Sequence, residues 1–480
     1  MRLNKTVGLL AGTTALTLSG FCFGNADETN TDALAQIAEL KAELAQMRAQ
    51  NGDNWLTEQR ADQIRGIVQD VLADAETRAS LQGSGATSGY SADSGFFISS
   101  ADGTFRLNVN GLAQFRWILN GSTKAGTTVG GTTYHDRWGF EVRRARLDFS
   151  GVFASDWRYM FQIQYGSPFG NSSNQLNFAA NAANPANVNV LEAYIEKDIE
   201  MMGSTFSVRG GQFKAPFLRE WLVDDSDQLA VDRSILSYYF YQGYSTGLQI
   251  GYSADAFRLA LAYTNGISTP VQQNGLGSYD TSWLSNPTRY SFAGRGEFKL
   301  GGNWADFDNF NSRPGTESGA MVGLAGFYQV YNDVAQGADG VGVGGATADV
   351  TVNFGGASLF AAFIWENENV NGGGTANPWG AMVQAGYFLS DDFEVFGRYS
   401  YANGNSVTTP GAIYGTESTY LSLATVGVNY FFSANVKLTA DFGWSFNDLG
   451  STFGNFTTTG FQAANVSNQY AIRTQLQLTF

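Results

Sequence analysis

The sequence predicts an all-β chain of about sixteen antiparallel strands closed into a transmembrane β-barrel, preceded by a short helical, coiled-coil-like segment. Three observations point there. Charged residues make up only 15% of the chain while aromatics reach 14%, against roughly 25% charged residues in soluble domains. Glycine is abundant at 58 residues and proline scarce at 8. From Phe96 onward apolar side chains recur at every second position, which is the period of a half-buried strand.

The elements before the barrel read in order. Residues 1–26 have the pattern of a secretory signal: Arg2 and Lys5, an apolar run from Val7 to Phe23, then small residues at Gly24 and Ala26. The single cysteine, Cys22, lies in that run, so no intrachain disulfide can form. Residues 27–82 are expected to be a helical, coiled-coil-like periplasmic segment. Ala33, Ile37, Leu40, Leu44 and Met47 step by four and three, the seam spacing of a coiled coil. A second stretch sets Ile64, Ile67, Val68, Val71 and Leu72 on one helical face. With no soluble core to pack on, these helices suit a stalk that associates between identical chains. Gly/Ser-rich residues 83–95 then read as a linker, and residues 96–480 as the barrel.

Strand starts are expected near 104, 139, 157, 188, 205, 244, 256, 288, 319, 346, 358, 379, 393, 418, 436 and 468. The first sets Phe105, Leu107, Val109, Ala113, Phe115 and Trp117 against Arg106, Asn108, Asn110, Gln114 and Arg116. The last sets Tyr470, Ile472, Leu476, Leu478 and Phe480 against Arg473, Gln475 and Gln477. A face of Arg, Asn and Gln suits a wet lumen, and aromatics at strand ends suit a membrane interface. Short connections such as Ser253-Ala254-Asp255 and Gly355-Gly356 alternate with longer ones, as periplasmic turns alternate with external loops. One connection breaks the rhythm: Gly301 to Ser318, carrying Trp304, Phe307 and Phe310, is long where a short turn is due.

Composition also excludes functions. A formal net charge of −15 argues against a nucleic-acid binder, which needs clustered Lys and Arg to meet phosphates. The one histidine, His135, sits in a Gly/Thr-rich connection. Neither a His/Cys metal site nor an oriented catalytic base can be built from it. No enzyme activity and no cofactor are therefore expected.

One stretch fits neither strand nor turn. Gly210 to Phe240 carries Lys214, Arg219 and Arg233 beside Asp224, Asp225, Asp227 and Asp232, interleaved with Phe213, Phe217, Trp221, Tyr238 and Tyr239. Lying between the fifth and sixth expected strands, it is predicted to fold into the barrel and narrow it.

The segments EVRRARLDFSGVFASDWRYMFQIQYG (141–166), LEAYIEK (191–197), VRGGQFKAPFLRE (208–220), DRSILSYYF (232–240) and GLQIGY (247–252) resemble the phosphate-selective porin O and P family. The likeness is dense over about 140–265, and RRARL and GQFKAPF are its specific parts. The resemblance implies a homotrimer of sixteen-stranded barrels in outer-membrane lipid, each with its own pore. It also makes the stretch after GQFKAPF the loop folded inward at the constriction. In anion-selective members rows of Arg lead to a Lys cluster. By strand phase Arg144, Arg146 and Arg158 can face the lumen here, with Lys214 and Arg219 flanking the loop. Arg143 falls on the opposite phase unless a bulge re-aims it.

This chain departs from that pattern. It has no Lys cluster, the loop carries four Asp, and residues 90–480 hold 21 Lys and Arg against 32 Asp and Glu. Phosphate specificity therefore does not transfer with the fold. An Arg row facing an acidic loop across the lumen is expected to set up a transverse field that disfavours apolar solutes. The expected function is passive diffusion of small hydrophilic solutes or inorganic anions through an outer-membrane porin, with anion preference. The alternatives are a specific channel for phosphate, polyphosphate or sugars, and a barrel-anchored tether of the envelope.

Overall fold

Alternation gives every strand one polar and one apolar face. Closing such a sheet hides the polar face from lipid and pairs every strand edge. The computed structural model describes residues 85–480 apart from 92–94, 127, 130–131, 166–187, 267–287, 334–337, 371–373, 405–419, 450–458 and 463–465, together with residues 35, 38–43 and 45–46. The chain divides into two units, Met1–Ser84 and Gly85–Phe480. In the first unit the described residues are helical, within the segment expected to be so. The signal peptide, the second helical stretch and seam positions Ala33, Ile37, Leu44 and Met47 lie outside the described residues.

Sixteen antiparallel strands close the second unit. They are β1 Arg106–Ser122, β2 Arg137–Phe153, β3 Trp157–Tyr165, β4 Val188–Met201, β5 Ser204–Lys214, β6 Tyr244–Ser253, β7 Phe257–Thr264 and β8 Thr288–Leu300. The second half comprises β9 Gly319–Asp333, β10 Ala338–Asn353, β11 Ala357–Val370, β12 Trp379–Ser390, β13 Phe393–Asn403, β14 Tyr420–Phe431, β15 Val436–Ser445 and β16 Gln469–Thr479. Each strand pairs with its sequence neighbours, and β16 returns to β1 with Gln469 opposite Ser122 and Thr479 opposite Leu112. Phe480 completes the seam by exchanging backbone hydrogen bonds with Gly111, at 2.9 and 3.1 Å.

The predicted faces hold. Gln114 and Arg116 are buried while Phe115 between them is exposed; Leu259, Leu261 and Tyr263 point outward as Ala262 and Thr264 point in. Three differences from expectation have local causes. β10 starts at Ala338 rather than near 346, because its outward positions Gly342 and Gly344 lack the apolar side chains that mark a strand. Within residues 83–95, expected as a linker, Thr87–Ser91 is a strand paired to Gly95–Ser99, which in turn pairs with Arg106–Val109 of β1. The register of β1 on β2 steps from Gln114–Arg144 to Phe115–Val142. That step places Arg143 in a β-bulge, the one condition under which it could point inward.

The connections at one end are short: 154–156, 202–203, 254–256, 354–356, 391–392 and 432–435. Short turns mark the periplasmic end of such a barrel. Gly301–Ser318 lies at that same end. Its backbone turns at Gly301 and Gly302, with φ of 79° and 74°, a left-handed conformation that glycine adopts without steric cost.

Candidate constriction site

The inserted segment begins where β5 ends. It holds two short helices, α1 Arg219–Leu222 and α2 Ile235–Phe240, with a single 3-10 turn at Asp225–Asp227 between them. Ser234 caps α2 by accepting a hydrogen bond from the Ser237 N–H at 3.0 Å. Phe217, Leu218, Trp221, Leu229, Leu236 and Phe240 are buried in a cluster with the inward side chains Phe327, Phe360, Met382, Phe396 and Leu423. An aromatic-rich segment between two polar-lined strands has no other apolar surface to cover it. The wall from β9 to β14 supplies that surface inside the barrel.

Ion pairs then fix its position on β1 and β2. Asp232 accepts from Arg143 Nε at 2.9 Å, Arg116 Nη1 at 3.1 Å and Arg144 Nη2 at 3.1 Å, and from the Tyr238 hydroxyl at 2.8 Å. Asp225 pairs with Arg144 at 2.9 Å and with Arg146 and Arg233. Burial opposes ionisation of both carboxylates. The guanidiniums outweigh it: Arg144, Arg233 and Arg146 hold Asp225 below the usual carboxylate range, and Arg143, Arg144 and Arg116 hold Asp232 well below it. Arg233 also donates to the carbonyls of Glu220 and Val223, at 3.0 and 2.6 Å, tying the two helices together.

Polar wall side chains continue these ties around the lumen. Arg398 of β13 donates to the Asp232 carbonyl at 3.0 Å and pairs with Glu220 at 3.3 Å. Asn429 of β14 reaches the Leu229 carbonyl at 2.9 Å, and Lys437 of β15 the carbonyls of Ser226 and Gln228 at 2.8 and 3.0 Å. Asp441 accepts the Val231 N–H at 3.1 Å while paired to Arg473 at 2.7 Å. On the opposite side Arg295 of β8 donates to the Phe217 carbonyl at 3.0 Å and pairs with Asp349 at 2.8 Å.

The open space lies along β3 to β8. A cavity of about 630 Å³ is bounded there by Arg158, Arg209, Arg258, Arg295, Glu192, Asp198 and Glu297 of the wall, and by Lys214, Arg219 and Leu222 at the inserted segment. Six basic and three acidic side chains line it. Arg158 pairs with Glu196 at 2.6 Å and Asp198 at 2.5 Å yet remains 41% exposed. Arg209 shares Glu196 at 2.8 Å and lies over the Tyr194 ring at 4.0 Å. Lys214 Nζ is 3.9 Å from Asp224, and Arg219 pairs with Glu297 at 3.4 Å and Asp308 at 3.3 Å.

The residues singled out from sequence thus fall into two groups. Arg144, Arg146, Arg233, Asp224 and Asp225 form one buried network, with Asp224 3.2 Å from Arg146 and partly exposed. Arg158, Lys214 and Arg219 border the cavity. Asp227 joins neither, meeting Asn309 at 2.9 Å instead. The expected transverse field is corrected by these distances. Arg144 and Arg146 of the Arg row touch the loop acids, so their charges cancel locally rather than facing each other across water. Sequence reasoning did not select Arg116, Arg143, Asp232, Arg295 or Arg398 as site residues. Phase alone marked Arg116 as inward. For Arg143 the bulge was the missing fact.

No curated protein sequence matches the chain. Among solved structures it is similar to an anion-selective porin from Comamonas acidovorans, at 13% identity and TM-score 0.50 over 78% of this chain and 99% of that one. It is also similar to the outer membrane channel DcaP of Acinetobacter baumannii, at 13% identity and TM-score 0.47 over 78% of this chain and 97% of that one. At these identities the likeness is one of fold. Residues 129–480 match the family model described as phosphate-selective porin O and P, and with a closed sixteen-strand barrel narrowed by an inward segment, the chain belongs to that family of outer-membrane porins.

Proposed function

We propose that this porin passes small hydrophilic solutes with a mild preference for anions and without a dedicated phosphate site. Passive diffusion needs no chemistry: solutes cross a water-filled lumen whose width and charge decide entry. The observation that carries the preference is the cavity wall, with six basic against three acidic side chains. Four acids outside the lining, Glu196, Asp224, Asp308 and Asp349, pair with those bases and offset their number, so the preference rests on which charges face the cavity and is mild. Among the described residues only one lysine, Lys214, lines the space, which leaves nothing there resembling a lysine cluster for phosphate. We further take the assembly to be the homotrimer that the family resemblance implies; chemical cross-linking of the detergent-solubilised protein reads the number of chains.

Reversal potentials in asymmetric KCl test the preference. A unit charge about 8 Å from a permeating ion is worth about 0.5 kcal/mol in water, and about 0.1 M salt screens this to roughly half, with opposite sign for anion and cation. Each of Arg158→Gln, Arg209→Gln and Arg258→Gln should therefore lower the anion-to-cation permeability ratio about twofold. Cation selectivity of the unaltered protein would sink the proposal, and saturable block by phosphate would replace it with a specific channel.

A further inference from the structure

The Gly301–Ser318 connection enters the lumen from the periplasmic end. It carries α3, Trp304–Phe307, and then points Phe307 and Phe310 inward, where both are buried. The Phe310 ring lies 4.8 Å from that of Phe360 on β11. Wall residues hold the connection at both edges. Asn353 donates to the Asp306 carbonyl at 2.9 Å, and Asn311 donates to Glu394 at 2.5 Å. Trp304 donates to the Ala254 carbonyl at 3.0 Å and lies under Arg258 at 4.2 Å.

Its tip meets the segment inserted from the other end at two places. Asn309 Nδ2 donates to the Asp227 carboxylate at 2.9 Å, and the Phe310 N–H donates to the Asp227 carbonyl at 3.1 Å. Arg219 donates to the Phe307 carbonyl and pairs with Asp308 at 3.3 Å. A connection that only joined two neighbouring strands would need two to four residues, as its counterparts at this end do. The additional length is spent on reaching the constriction.

We propose that Gly301–Ser318 is a second constriction element, a strut that supports the inserted segment from the periplasmic side and thereby sets the single-channel conductance. Asn309 and Phe310 are its positioning residues. A strut sets pore size and steadiness rather than charge preference, so it stands whether or not the anion preference holds.

Single-channel recording of the purified porin in planar bilayers provides the test, with heat-modifiable migration on gels confirming that the barrel is closed. Phe310→Ala is expected to raise the mean conductance and introduce subconductance states, and Phe310→Leu to restore the single steady level. Asn309→Ala and Asp227→Ala should each add current noise, and the double variant should be no noisier than the worse single one, because both remove the same contact. If the closed-barrel Phe310→Ala channel keeps the parental conductance and noise, the strut is refuted. Should Phe310→Ala fail to fold, Asn309→Ser carries the test, and an unchanged current trace there refutes it equally. Additive noise in the double variant would also overturn the assignment.

Discussion

Arg143 Nε lies 2.9 Å from Oδ2 of Asp232, both side chains fully buried, and this contact exists only because a bulge turns Arg143 into the lumen. Asp232 is shared with Arg116 and Arg144, so one carboxylate fastens the inserted segment to two strands. Breaking a buried pair by removing one partner costs about 3–5 kcal/mol. Asp232→Ala should loosen the segment by an amount of that order. Limited proteolysis of the folded barrel should then cut within 215–243, where the unaltered protein resists.

Asp224 and Asp225 neighbour each other but should respond differently. The Asp224 side chain is 37% exposed and 3.2 Å from Arg146, whereas Asp225 is 4% exposed and held by three arginines. Asp224→Asn removes a charge in contact with water and should raise the anion-to-cation permeability ratio, about twofold by the Coulomb scale used above. Asp225→Asn strips the buried network and should appear instead as current noise. Reversal potential and noise, measured on the same channels, separate the two.

Asp227 supplies a pH dependence. Burial, followed by the Asp224 charge, pushes its carboxyl up to about 6 from an ordinary 3.8. A raised value in the docked state means the neutral form docks more favourably. Docking is therefore strongest below the ordinary value, weakens as pH rises from 3.8 to about 6, and changes no further above that. The loss is on the order of 2 kcal/mol after discounting for partial exposure. Current noise should increase between about pH 4 and pH 6, and Asp227→Asn should remove this step.

Barrel closure depends on Gly111. A Cβ there would come within 2.2 Å of the Phe480 ring, and the two residues exchange the last backbone hydrogen bonds of the seam. Gly111→Val should lower the temperature at which the barrel unfolds on gels. Pairing it with Phe480→Ala should recover part of the loss, since the clash is with that ring.

Much of the fold was legible because its signal is local. Period-two alternation in segments such as 436–446 states which side chains face in, and fifteen of the sixteen strand starts follow from it closely. The sixteenth, β10, begins with glycines on its outward face and carries no alternation to read. The inserted segment was legible by exception, since Trp221, Asp224 and Arg233 fit neither face of a strand. Gly301–Ser318 was visible as an anomaly of length, but nothing in it names Asp227 as the residue it meets.

By itself the sequence determined the barrel, the inward identity of Arg144, Arg146 and Arg158, and the place of the inserted segment between the fifth and sixth strands, since each follows from periodicity and its interruption. Only the tertiary structure decided that Asp224 and Asp225 pair with Arg144 and Arg146 instead of opposing them across water, that Arg143 joins them, and that a periplasmic connection touches the inserted segment. Those contacts join residues about 80 to 90 positions apart, such as Arg146 with Asp225 and Asp227 with Asn309. They arise when closure and one register step bring distant side chains within hydrogen-bonding reach, and no local pattern records that distance.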